Sequence, residues 1–130
     1  MVRTGLYAVV GDKEYRVGKR GGDWVHIVSK DPDDLNRGFE LYDPDEGIYV
    51  KKVLKKELQN VFYIVTYAIY KGEKLSVGNI QNGKIMLATG DTELANKVGL
   101  ELTNDKYFYE KWVDLSEVEL IEEREPYTLD

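Results

Sequence analysis

Apolar and polar positions alternate in short runs along most of this chain, and the runs are separated by glycine-containing turns. Leu6 to Val10 and Lys13 to Val17 flank Gly11-Asp12, which predicts a tight β-hairpin. Trp24 to Val28 reads as a third strand entered from Gly21-Gly22, residues that tolerate positive φ. The same succession returns later in the chain. Thr66 to Tyr70 and Lys74 to Val77 flank Lys71-Gly72-Glu73, and Lys84 to Ala88 follows Asn82-Gly83.

A short helix is predicted after each set of three strands. Asp31 suits an N-cap, Pro32 the first helical position and Gly38 a left-handed C-terminal position. Asp91 and Gly99 bracket Thr92 to Val98 in the same way. Asp33, Asp34 and Glu93 fall in the first turns, where negative charge complements the helix dipole. Capping and dipole chemistry account for these carboxylates. A calcium loop starting at Asp31 or Asp43 lacks the later ligands it would need. Each set then closes alike. Tyr49 to Val53 alternates as a half-buried strand, Leu54 to Leu58 forms one helical turn, and Val61 to Ile64 resumes as strand. Tyr107 to Val113, Asp114 to Val118 and Glu119 to Glu123 repeat that order. No Gly or Pro interrupts Val61 to Tyr70, so one strand is expected to run from the first set into the second.

Residue identities recur at an offset of sixty. Tyr7-Ala8 matches Tyr67-Ala68, Val17-Gly18 matches Val77-Gly78, and Asp31 and Asn36 match Asp91 and Asn96. One inserted residue pairs Gly38-Phe39-Glu40-Leu41 with Gly99-Leu100-Glu101-Leu102. The offset resumes at Tyr49, Lys51, Val53 and Glu57 against Tyr109, Lys111, Val113 and Glu117. The period is longer than that of solenoid repeats, so a duplicated small domain is expected, with copies at 1–62 and 63–130. A strand, one tight helical turn and a closing strand resemble the end of a Src-homology-3-like barrel. The expected fold is therefore mainly β: two tandem small barrels of that kind, each with one short helix. A half of about sixty residues buries only about 60% of its unfolded surface and would be marginal alone.

Composition narrows the functional classes. The 130 residues carry a net charge of −6 and no cysteine, which excludes disulfides and thiolate metal sites. Through Phe62 there are eleven basic and eleven acidic residues, and after it seven and thirteen, so the net charge resides in the second half. Such a surface repels polyanions, and nucleic acid is not an expected partner. A basic protein would be drawn to it and steered in association. No stretch approaches the roughly 20 apolar residues of a membrane span, and the N-terminal residues show no apolar core or cleavage site of an export signal. A cytoplasmic protein is expected, with no membrane partner.

Catalytic signatures are weak. The sole histidine, His26, lies in a strand pattern with Ser29 three residues on, and those positions face opposite sides of a strand. Metal sites need several convergent His, Cys or carboxylate ligands, and His26 has no such neighbour in sequence. Neither glycine turn has the spacing of a phosphate loop. The Lys51, Lys52, Lys55 and Lys56 cluster lies beside Glu57 and reads as a solvated face. No enzyme activity, cofactor or metal is expected.

Binding is the remaining class, and the aromatics point to where. Tyr42, Tyr63, Tyr107, Tyr127, Trp24 and Trp112 stand outside the repeat match, and Tyr and Trp are enriched where binding energy concentrates. The segment from Asp105 to Glu123 combines unmatched aromatics with a dense acidic run. The candidate partner-binding residues are Asp105, Tyr107, Glu110, Trp112, Asp114, Glu117, Glu119 and Glu122.

Gly5-Leu6-Tyr7-Ala8, Lys13-Glu14-Tyr15-Arg16, Gly38-Phe39, Tyr49-x-Lys51-x-Val53 and Glu57, repeated once, resemble small immunity-type proteins of Gram-positive bacteria. The resemblance covers nearly the whole chain, and its motifs are structural. It implies a cytoplasmic, non-catalytic inhibitor that occludes a cognate toxin domain, with an acidic inhibitor suiting a basic, nuclease-like toxin. A peptide-binding or regulatory module of tandem small barrels is the alternative.

Overall fold

The computed structural model describes residues 2–103 and 108–129. The fold is mainly β, with an open strand order β4-β5-β3-β2-β1-β6-β7-β8-β10-β9 whose successive ladders run antiparallel. The strands, in chain order, are β1 (Gly5–Val10), β2 (Lys13–Arg20), β3 (Trp24–Ser29), β4 (Glu40–Asp43), β5 (Ile48–Leu54), β6 (Asn60–Tyr70), β7 (Glu73–Gln81), β8 (Lys84–Thr89), β9 (Glu101–Leu102), β10 (Tyr109–Asp114) and β11 (Val118–Pro126). The chain divides into two compact units. The first holds Thr4–Ile64 and the segment from Arg124 onward; the second holds Val65–Glu123 and the residues before Thr4. Strands β6 and β11 contribute residues to both units.

The first unit is built from β1 to β5 and the start of β6. Alternation places Ala8, Tyr15, Val17, Val25, Ile27 and Val53 on one side, where Phe39 joins them in the core. Trp24, His26 and Val28 face the other way, opposite Leu54, Lys52 and Val50.

The second unit continues from β6 through β7, β8, β10 and β9 in that spatial order, and β11 pairs β6. Its core holds Ala68, Tyr70, Leu75, Ile85, Leu87, Ala95, Val98, Leu100 and Val113. Core positions correspond between the units: Ala8 with Ala68, Tyr15 with Leu75, Val25 with Ile85, Ile27 with Leu87, Phe39 with Leu100 and Val53 with Val113. The two-residue turns at Lys71-Gly72 and Asn82-Gly83 have positive φ throughout, 50° and 79°, then 52° and 77°. This is the mirror-type turn that matches strand twist.

The two short helices differ in kind. Thr92–Val98 is an α-helix (α1), whereas Pro32–Arg37 is 3₁₀ rather than the equivalent helix expected from the caps. Both caps form as the sequence predicts: Asp31 and Asp91 accept from backbone N–H groups, and Gly38 and Gly99 are left-handed. The interiors explain the difference. Leu94, Ala95 and Lys97 favour α-helix, while Pro32, Asp33, Asp34 and Asn36 do not. The helical turns after β5 and β10 are also 3₁₀, at Lys55–Glu57 and Leu115–Glu117.

Candidate functional site

Strand β10 carries the acidic and aromatic face of the second unit. Val113 points into the core, so Glu110, Trp112 and Asp114 share the opposite face. Across β8 they stand against Ala88, Met86 and Lys84 in turn. Trp112 is 38% exposed. The Lys84 ammonium lies 3.6 Å from the Asp114 carboxylate with both side chains more than half exposed, a pair that contributes little.

On the other flank, Glu110 sits directly opposite Glu101 in the β9–β10 ladder. Like charges in that position destabilise a sheet by about 0.2–1 kcal/mol. Among the described residues neither carboxylate has an ion-pair partner. The first unit has Glu40 opposite Val50 at the matching place, so the like-charge pair is particular to the second.

The remaining sequence candidates serve other ends or stand elsewhere. The Glu117 carboxylate accepts from the Asp114 backbone N–H at 3.1 Å and closes the 3₁₀ turn, as Glu57 does for Leu54 at 2.7 Å. Glu122 receives a two-pronged hydrogen bond from Arg3, at 2.9 and 3.0 Å. Glu119 is exposed on β11. Asp105 and Tyr107 lie outside the described residues. Glu117 and Glu122 are therefore committed to the fold, and the face reduces to Glu110, Trp112 and Asp114, with Glu101 added by the pairing.

The first unit contains a constellation for which capping chemistry does not account. Asp34 is fully buried. Its carboxylate accepts from Lys13 Nζ at 3.0 Å, Tyr15 Oη at 3.0 Å, Arg37 Nη1 at 2.8 Å and the Ser29 hydroxyl. Burial pushes its pKa up, but the four hydrogen bonds outweigh burial and hold it at about 2. The Tyr15 hydroxyl is pushed up by burial and by its bond to Asp34, and Lys13 is raised chiefly by its bond to the same carboxylate. The chain itself holds a clue to this site. At an offset of sixty, Asp34 and Tyr15 fall on Leu94 and Leu75, so an acid stands where the second unit has an apolar residue.

His26 and the lysine cluster are placed as follows. His26 is half-buried on β3 with its ring 5.1 Å from that of Trp24, while Ser29 is spent on Asp34. Lys52 Nζ lies 4.5 Å above the Trp24 ring, and Lys51 donates to the Arg37 carbonyl at 2.8 Å. Among the described residues, no three His, Cys, Asp or Glu side chains converge as a metal site requires. Among the same residues, no helix is long and apolar enough to cross a membrane.

A family model described as "Uncharacterised conserved protein UCP033725" matches residues 2–129. The chain belongs to that family. No curated protein and no solved structure matches it significantly.

Proposed function

We propose that this is a non-catalytic binding protein whose second unit engages a basic protein partner through the Glu101, Glu110, Trp112 and Asp114 face. The observation that carries this reading is the Glu101–Glu110 pair beside an exposed tryptophan. A like-charge pair costs stability in the free protein and is relieved when a cation of the partner lies between the carboxylates. Trp112 supplies an adjacent surface for the apolar stem or charge of a Lys or Arg.

Within that reading, the role that best fits the acidity and the resemblance to immunity-type proteins is a cytoplasmic inhibitor. It would neutralise a basic, nuclease-like toxin domain by occlusion. The same reading takes the two units as copies of one Src-homology-3-like barrel plan. Their recurring element order and the strand–3₁₀ turn–strand ending of each support that descent.

The test is to look beside this gene for a secreted protein with a basic C-terminal domain and to co-express that domain with the chain. Cells should survive only with the wild-type chain, and the triple variant Glu101→Gln, Glu110→Gln, Asp114→Asn should protect poorly. In surface plasmon resonance its loss should lie in association rate and fade between 0.1 and 1 M salt, as the Debye length falls from about 10 Å to about 3 Å. Protection by the triple variant equal to wild type would refute this use of the face. A peptide-binding or regulatory module is the second reading, favoured by a groove in the first unit.

A further inference from the structure

The segment that follows Glu123 lies on the first unit as a peptide would. Arg124 donates to both Glu14 carboxylate oxygens, at 2.7 and 3.3 Å, and its guanidinium lies 4.7 Å from the Phe62 ring centre. The Tyr127 N–H donates to the Val61 carbonyl at 2.9 Å, as an added strand does. Leu129 packs against the core around Ala8 and Ile27. Arg124–Pro126 form the end of β11, which pairs β6, and every residue from Arg124 to Thr128 is exposed. An open groove of about 400 Å³ lies beside it, walled by Val9, Glu14, Asn60, Val61 and Phe62 and, from the segment itself, by Arg124 and Pro126. The receiving surface is wider than its occupant.

We propose that the surface of the first unit along Glu14, Val61 and Phe62 is a peptide-binding site, occupied in cis by the chain's own Arg124-Glu125-Pro126-Tyr127-Thr128-Leu129. The external ligand is an extended peptide of the same chemistry, with an arginine two residues before a proline and an aliphatic residue three after it. Each recognition element has a receiver on the first unit. Glu14 and Phe62 take the arginine by charge and by its planar face. The Val61 carbonyl takes a backbone N–H, and the apolar surface under Leu129 takes the aliphatic side chain. The proline has no N–H to give the ladder, and the backbone bond to Val61 comes from the residue after it. The site is distinct from the β10 face and does not depend on the role proposed for it.

The experiment uses the full chain with Arg124→Glu and Leu129→Asp, which loosens the cis segment, and a fluorescein-labelled peptide of residues 123–130. Fluorescence anisotropy should show saturable binding to this variant, with wild type at least about tenfold weaker because its own segment covers the receiving surface. A peptide carrying R124A should bind about tenfold more weakly. Adding Glu14→Arg to the variant should abolish binding, and a peptide with R124E should restore it. A folded variant that shows no saturable binding overturns the proposal. Should the variant not fold, hydrogen exchange on wild type decides. The Tyr127 amide should exchange far faster than that of Ile27, and equal protection would mean a fixed element rather than an exchangeable ligand.

Discussion

Replacing Asp34 with asparagine keeps the shape of the side chain and removes its charge, so it isolates what the buried carboxylate contributes. In the folded protein four donors converge on it: Lys13, Tyr15, Ser29 and Arg37. A carboxyl held at about 2 instead of 3.8 contributes about 2 kcal/mol near neutral pH. The sign follows from the direction of the shift. The folded pKa lies below the unfolded one, so this contribution is complete above about pH 4 and disappears as pH falls toward 2. The introduced amide also presents N–H groups to side chains that are themselves donors, leaving buried Tyr15 or Ser29 short of an acceptor. Lys13 and Arg37 are 36% and 54% exposed and regain water, which limits the loss. A destabilisation of about 2–3 kcal/mol at pH 6.5 is expected in urea unfolding. The informative measurement is its pH dependence. Between pH 5 and pH 2 the gap between wild type and Asp34→Asn should shrink by about 2 kcal/mol, because wild type alone loses the charge. The other carboxylates titrate alike in both proteins and cancel, apart from Asp31, which shares Lys13 with Asp34 and is raised by its charge. A gap that stays constant down to pH 2 would show that Asp34 acts through shape alone and refute the electrostatic argument.

Further outcomes can be checked with single variants. Glu110→Gln should raise the urea midpoint, stabilising the free protein by about 0.5 kcal/mol through relief of the Glu101 pair, while slowing association with a basic partner at low salt. Gly38→Ala should cost about 1 kcal/mol in the same assay, since φ is +88° and the added methyl would meet Lys51 Cε at 3.3 Å. Ile85→Ala, at a fully buried position, should cost about 3 kcal/mol and lower the thermal midpoint.

Strands, turns and caps are legible in the sequence because each depends on residues near one another along the chain. Gly11, Gly72 and Gly83 mark turns by their backbone freedom, and Asp31 with Gly38 and Asp91 with Gly99 mark helix ends. The 3₁₀ character of Pro32–Arg37 is less visible, because caps specify where a helix starts and stops rather than its pitch. Asp34 reads as a first-turn acid, which fits its position along the chain. Its burial depends on Lys13 and Tyr15 arriving from another strand. The acidic run from Glu110 to Glu122 likewise reads as uniform. Only the backbone pairing and the ladders separate Glu117, spent on a turn, and Glu122, held by Arg3, from Glu110, set against Glu101. Sequence gives the identity of a carboxylate; cross-strand register decides what it meets.

The first unit draws Arg124 to Leu129 from the far side of the second unit in sequence, and this orders events during synthesis. All of the second unit's core residues, Ala68 to Val113, leave the ribosome before Arg124 does. The second unit can therefore close while the first still lacks the ion pair at Glu14, the strand bond at Val61 and the Leu129 contact. The part of the chain made first is the part completed last. In the interval the surface around Val9, Val61 and Phe62 stands open, and a nascent-chain chaperone has its best opportunity to bind there.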